Sequence, residues 1–250
     1  MSPGPSDPET TLFGVYAWIV FFVLALPTVL IVAFLPGLDL RRRIVRGSAR
    51  CFFRLCGIPV RVHDEPLLPR GACVVTANHA SYLDGIVLTA ALPARFSFVI
   101  KQELRRVPIV HLLLRRIGSR FVERYDRPRS AADARRLLKA AAAGHALAFF
   151  PEGTFLQDRG LSGFQYGAFL TAARAGLPVS PILIQGAREV LPSGARLPRP
   201  GGCIDVRVLP SRIADGTDRG AARRLRDEVR RLMLDALGEP DLESDPSSGV

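Results

Sequence analysis

Apolar and polar positions alternate along this chain in three different rhythms. Residues 12–35 carry no charged side chain. At about 1.5 Å per residue, a helix of that length covers a bilayer core of roughly 30 Å. No basic residue precedes the run and no small-residue cleavage site follows it, which fits an anchor better than a cleaved leader. Pro27 sits inside it, and two readings follow: Pro27 kinks a spanning helix, or it turns the chain back into a re-entrant segment. From residue 57 onward the second rhythm takes over. Short apolar runs at 58–63, 72–76, 96–100, 119–123, 146–150, 179–184 and 203–209 read as strands. The third rhythm is helical and lies between them, at 83–92, 102–117, 130–143 and 166–175. Strand and helix in alternation predict an α/β fold with a mainly parallel central sheet flanked by helices, behind an N-terminal membrane-embedded helix. A last amphipathic helix is predicted over 219–237, with Leu225, Val229, Leu232, Met233 and Ala236 on one face.

These rhythms divide the chain into four parts. Residues 1–11, with three prolines, are expected to be a flexible tail. Residues 12–56 form a membrane-anchoring segment, 57–237 the folded domain, and 238–250 an acidic, Ser-rich tail expected to be disordered. Charge sharpens the second part. Arg41, Arg42, Arg43, Arg46, Arg50 and Arg54 follow the apolar run, and the positive-inside bias places them and the domain in the cytoplasm, at the inner membrane. Apolar residues are interleaved with these arginines. An interfacial helix with Arg heads near lipid phosphates and an ordinary amphipathic helix packed on the domain both fit that pattern.

The 250 residues carry 34 Lys+Arg against 23 Asp+Glu, a formal +11. Such a charge suits phosphate, nucleic acid or an anionic membrane surface. Few aromatics alternate with the basic residues and no nucleic-acid-binding motif is present, which argues against nucleic acid as a partner. The four cysteines have neither zinc-ligand spacing nor a disulfide framework, and reduced structural thiols are the simplest account.

The chemistry concentrates in two stretches. Thr76-Ala77-Asn78-His79-Ala80-Ser81-Tyr82-Leu83-Asp84-Gly85 ends one apolar run and begins a helical pattern. His79 is then in a loop at the carboxyl end of a strand, where open α/β sheets place their chemistry. Imidazole is the side chain best suited to take a proton near neutral pH. Asp84 is placed to bond one ring nitrogen and leave the other as a base for a hydroxyl. A plainer reading is that His79 caps the loop and Asp84 starts a helix. No Gly-x-Ser-x-Gly elbow surrounds Ser81 and no Cys has a neighbouring base, so a covalent acyl-enzyme is not expected. The remaining histidines stand in no ligand pattern, and no metal site is expected. The second stretch, Phe149-Phe150-Pro151-Glu152-Gly153-Thr154, stops another apolar run and presents a carboxylate beside a Gly.

In this order and about seventy residues apart, the two stretches resemble the Asn-His-x4-Asp and Phe-Pro-Glu-Gly-Thr blocks of the glycerolipid acyltransferase family. The resemblance covers residues 57–209 and implies transfer of a fatty acyl group from acyl-CoA or acyl carrier protein to the hydroxyl of a lysophospholipid. Lysophosphatidic acid is the acceptor it implies first, and no cofactor is implied beyond the thioester co-substrate. His79 and Asp84 are the implied catalytic pair. Lys101-Gln102-Glu103-Leu104 and Phe121-Val122-Glu123-Arg124 resemble the family region that holds the substrate phosphate, which makes Lys101 and Arg124 candidates. Arg suits the task because it grips phosphate with two parallel bonds. The block Glu152, Gly153, Thr154 is implied to bind the phosphorylated acceptor. It usually ends in Arg, where this chain has Phe155; Arg159 is the candidate to replace that charge, and a different acceptor, such as another lysolipid or a lyso-aminolipid, is the alternative. Residues 177–182 resemble a region implied to line the acyl pocket. A non-catalytic lipid-binding scaffold of the same fold is the remaining alternative.

Overall fold

Continuous apolar runs in a chain of alternating strands and helices force the strands between two helical layers, because both faces of each strand must be covered. The structure, a computed structural model, describes residues 8–123, 127–154 and 158–243, with the backbone alone for residues 127–130. Among the described residues, seven strands form one sheet: β1 (Val60–His63), β2 (Val74–Ala77), β3 (Ser97–Lys101), β4 (Arg120–Val122), β5 (Leu147–Phe149), β6 (Val179–Gln185) and β7 (Ile204–Val208). Their order is β1-β7-β6-β2-β5-β3-β4. Each falls on one of the predicted runs. The five strands from β6 to β4 are parallel. Strand β7 runs antiparallel to β6, and β1 is parallel to β7, so this pair points the other way.

The helices are α1 (Pro8–Phe34), α2 (Leu38–Leu55), α3 (Asp84–Ala91), α4 (Pro108–Arg116), α5 (Arg127–Ala142), α6 (Gly167–Ala175), α7 (Ala187–Val190) and α8 (Arg219–Leu237). On one face of the sheet, α2 and α3, with α1 packed on α2, share one apolar cluster through Ala17, Phe52, Phe53, Val87 and Leu88. The other packs against α5, α6 and α8 through Leu137, Phe169, Leu225, Val229 and Met233. Helix α8 has the sequence signals expected of it: the Asp218 carboxylate accepts from Ala221 N–H at 2.9 Å, and Gly238, at φ 67°, ends it. The predicted helix 102–117 is instead a 3-10 turn over Gln102–Arg106 followed by α4, which begins at Pro108 because proline fits the first helical position.

Helix α1 runs on through Pro27, so the chain does not turn back there. It starts at Pro8, and residues 8–11 are helical rather than part of a loose tail. After Gly37, at φ 82°, the chain returns as α2, antiparallel to α1: Thr28 Oγ1 donates to Ser48 Oγ at 3.0 Å and Tyr16 Oη donates to Leu55 O at 3.0 Å. The middle and the carboxyl end of α1 are tied to the domain. Trp18 Nε1 donates to Arg196 O at 2.8 Å, and Arg116 donates to Val32 O and Leu35 O, each at 3.0 Å.

Four arginines of the α2 row bond backbone carbonyls of the domain. Arg41 donates to Arg116 O at 2.6 Å, Arg42 to Ile117 O at 2.8 Å, Arg46 to Ala91 O at 3.2 Å and Arg50 to Ala90 O at 2.8 Å. These carbonyls are at the carboxyl ends of α3 and α4, where orphan acceptors and the helix dipole both favour a cation. The row packs α2 on the domain.

Candidate active site

The site forms where the chain leaves adjacent strands toward opposite faces. After β2 it passes to α3 on one face; after β5 it passes to α6 on the other. Strands β2 and β5 are paired in parallel and the loops leaving their carboxyl ends diverge, the place where open α/β sheets put their ligands. His79 stands two residues past β2 and Glu152 three past β5.

Asn78 closes the first of these ends. Its Nδ2 donates to Ile184 O at 3.0 Å and its Oδ1 accepts from Ile184 N–H at 2.7 Å, so a side chain continues the ladder between β2 and β6. The backbone is thereby released to turn, and His79 projects at the rim. Asp84, the first residue of α3, is fully buried. Its Oδ2 accepts from Ala80 N–H at 2.6 Å and Ser81 N–H at 2.7 Å and meets His79 Nδ1 at 2.8 Å. These backbone donors and the amino end of α3 stabilise the carboxylate. With Nδ1 engaged by Asp84, any proton transfer by this ring would run through Nε2. The ring of Phe150 stacks on the imidazole with centroids 4.4 Å apart and planes 26° apart, and the His79 side chain is 19% exposed. Ser81 is buried with Oγ donating to Leu191 O at 2.8 Å, a loop support rather than an exposed nucleophile.

Glu152 joins the two loops. Its Oε1 accepts from the His79 backbone N–H at 2.7 Å, and its Oε2 accepts from Ser162 N–H at 3.0 Å and Ser162 Oγ–H at 2.7 Å. Burial pushes its pKa above the ordinary carboxylate value; the bonds from Ser162 and His79 oppose that push only in part. Glu152 thus holds the His79 backbone while Asp84 holds the ring.

Comparisons with known proteins give the family of the chain. Residues 59–185 match the family model described as Acyltransferase, which is half of the chain. The chain belongs to the glycerolipid acyltransferase family. It is 32% identical over 166 residues to a chloroplastic 1-acyl-sn-glycerol-3-phosphate acyltransferase of Brassica napus, covering 66% of this chain but 46% of that protein. It is 28% identical over 229 residues to the lyso-ornithine lipid O-acyltransferase of Pseudomonas aeruginosa, covering 82% of this chain and 85% of that one. The crystal structure of the 1-acyl-sn-glycerophosphate acyltransferase of Thermotoga maritima shares the fold, with a TM-score of 0.71 at 21% identity over 92% of this chain and 98% of that one.

In this acyltransferase-family chain the other candidate residues are more dispersed. Lys101, exposed, ends β3; the register sets it level with Asn78 two strands away, roughly 10 Å across the sheet. Gly153 has φ 82°, a backbone conformation that favours glycine, and Thr154 is exposed. Arg159 is paired with Glu189 of α7 at 2.6 Å, so its charge is already matched within the chain. Arg124 and Phe155 lie outside the described residues. Asn78, Phe150 and Ser162 were not singled out from the sequence as site residues. Asn78 and Phe150 had a signal in their position inside the two motif blocks; Ser162 had none, since its role depends on a loop folding back onto Glu152.

Proposed function

We propose that this protein is a membrane-bound O-acyltransferase that moves a fatty acyl group from acyl-CoA or acyl-ACP to the free hydroxyl of a lysophospholipid, with lysophosphatidic acid as acceptor. The observation that carries the reading is the 2.8 Å contact between His79 Nδ1 and a fully buried Asp84 carboxylate just past the carboxyl end of β2. His79 Nε2 takes the hydroxyl proton as the oxygen attacks the thioester carbonyl carbon. The Asp84 carboxylate stabilises the imidazolium. The tetrahedral intermediate collapses with cleavage of the C–S bond, and the imidazolium returns its proton to the departing thiolate, leaving an ester and a free thiol. Lys101 and Arg124 serve the acceptor phosphate, and Glu152, Gly153 and Thr154 shape the loop beside it.

Membrane attachment is supported by the outward face of α1, where Leu12, Ile19, Val23, Leu26, Leu30 and Phe34 are exposed. With Trp18 and Val32 both tied to the domain, about 21 Å apart along the helix axis, α1 lies along the domain and enters a single leaflet. The exposed Val107, Ile109 and Val110 of the neighbouring α4 region extend that surface, with Arg106 and Arg115 exposed nearby. The net charge of +11 fits the anionic cytoplasmic leaflet of the inner membrane.

A second reading keeps the chemistry and changes the acceptor to a lyso-aminolipid. It is favoured by Phe155 in place of the Arg that usually ends the block and by the pairing of Arg159 with Glu189. The Pseudomonas relative that matches most of both chains is named for such an acceptor. Thiol release by the purified protein, with oleoyl-CoA and either lysophosphatidate or lyso-ornithine lipid in mixed micelles, separates the two. Faster turnover of lysophosphatidate supports the first reading and faster turnover of the aminolipid the second. Turnover of neither, nor of other lysolipids with acyl-CoA or acyl-ACP, overturns both.

A further inference from the structure

The loop that holds Glu152 is itself held from the far helical layer. Arg230, on α8, is 8% exposed. Its Nε donates to Ser162 O at 3.1 Å and its Nη2 to Leu161 O at 2.9 Å. The same guanidinium pairs with the Asp241 carboxylate, through Nη1 at 3.1 Å and through Nη2, and with Glu243 Oε2 at 3.0 Å. A buried guanidinium needs such balance, and here two carboxylates and two loop carbonyls supply it.

Those two carboxylates belong to the segment after α8, expected from the sequence to be disordered from residue 238. Its described part, through Glu243, is ordered against the loop. Leu161 N–H donates to Pro240 O at 3.0 Å, and Leu242 N–H donates to Leu161 O at 3.2 Å. Gly160, at φ 143°, lets the strands meet: a Cβ there would stand 2.6 Å from Pro240 O. Acidic, Ser-rich composition predicted a loose end because it contains little to bury; one buried arginine on α8 supplies the partner instead.

The consequence for the site runs through Ser162. Its carbonyl is fixed by Arg230, while its N–H and Oγ–H both fix Glu152 Oε2. Glu152 Oε1 in turn fixes the His79 backbone. We infer that Arg230, clamped by Asp241 and Glu243, is a positioning residue for acyl transfer: it sets the Ser162 loop so that Glu152 holds the backbone from which His79 projects. Arg230 touches neither ring nor substrate; it acts through a relay of hydrogen bonds. The inference rests on the reading of His79 and Asp84 as the proton-transfer pair.

The test compares wild type, Arg230→Lys, Arg230→Gln and the double variant Asp241→Asn/Glu243→Gln, all full length, by thiol release over pH 4.5–9 with circular dichroism on the same samples. Loss of one hydrogen bond from a charged donor sets the scale: Arg230→Gln is expected to lower kcat about tenfold or more, with KM for both substrates within about threefold. Freed from Ser162, Glu152 loses the bonds that favour its carboxylate, so the acid limb of the profile moves to higher pH. Arg230→Lys retains the charge and is expected to fall between the two. The double variant is expected to shift the limb the same way by less, and it carries the test if Arg230→Gln does not fold. A purely structural role predicts a lower Tm with kcat per folded molecule and the acid limb unchanged; that result, in either folded variant, overturns the inference. An inactive wild type would instead overturn the function proposed above.

Discussion

Replacement of Asp84 by Asn is the perturbation whose size follows most directly from the coordinates. Asn is nearly isosteric. Its carbonyl oxygen at the Oδ2 position still accepts from His79 Nδ1, Ala80 N–H and Ser81 N–H, now at 2.8, 2.6 and 2.7 Å. Its amide then falls at Oδ1, which is buried with no hydrogen-bond partner among the described residues. Unsatisfied amide donors there cost about 1–3 kcal/mol of stability. What is lost in turnover is the negative charge beside an imidazolium that exists only during reaction. With charge centres about 4 Å apart and an effective dielectric near 20, that interaction is worth about 4 kcal/mol, or about a thousandfold in rate. The assay is the initial rate of thiol release with oleoyl-CoA and lysophosphatidate near pH 7.5, normalised to folded protein by circular dichroism. A folded Asp84→Asn variant within about tenfold of wild type would refute the argument and leave Asp84 as a cap of its loop.

Three further outcomes follow from separate parts of the structure. Glu152 has a raised pKa, so between the ordinary Glu value near 4.3 and that raised value the folded chain binds the extra proton; stability then falls as pH rises through the window, and Glu152→Gln removes that slope. Thermal melts of wild type and Glu152→Gln across that window check it; equal slopes in the two would contradict it. Asn78→Ala deprives Ile184 of both side-chain partners in a buried setting and is expected to cost about 2–4 kcal/mol in urea unfolding, whereas a change below 1 kcal/mol would contradict its role in the ladder. Val23→Asp with Leu26→Asp places charge on the exposed face of α1 without touching the buried positions of that helix; flotation with anionic vesicles is expected to fall at least tenfold, and unchanged flotation would move the lipid contact elsewhere.

How much of this was legible beforehand varies with the range of the interactions concerned. All seven strands coincide with apolar runs because central parallel strands such as β2 and β6 are buried on both faces and need no partner to be recognised. The contact between His79 and Asp84 was legible because five residues of loop bring them together locally. Sheet order was not, nor was the reversal of β7 and β1, since periodicity within a strand says nothing of its neighbour. The α2 arginines invited a lipid reading, and only the placement of α3 and α4 shows that four of them cap helix ends. Ser162, Arg230 and Asp241 were invisible because each acquires its role from a loop or helix that folds back on it, which no pattern within its own segment records.

The claim on which the rest depends is that the His79 imidazole takes the acceptor's proton. Thiol release with oleoyl-CoA and lysophosphatidate by purified His79→Ala, beside wild type at equal folded concentration, tests it most directly. The account predicts a loss of at least about a thousandfold; a rate near that of wild type would contradict it.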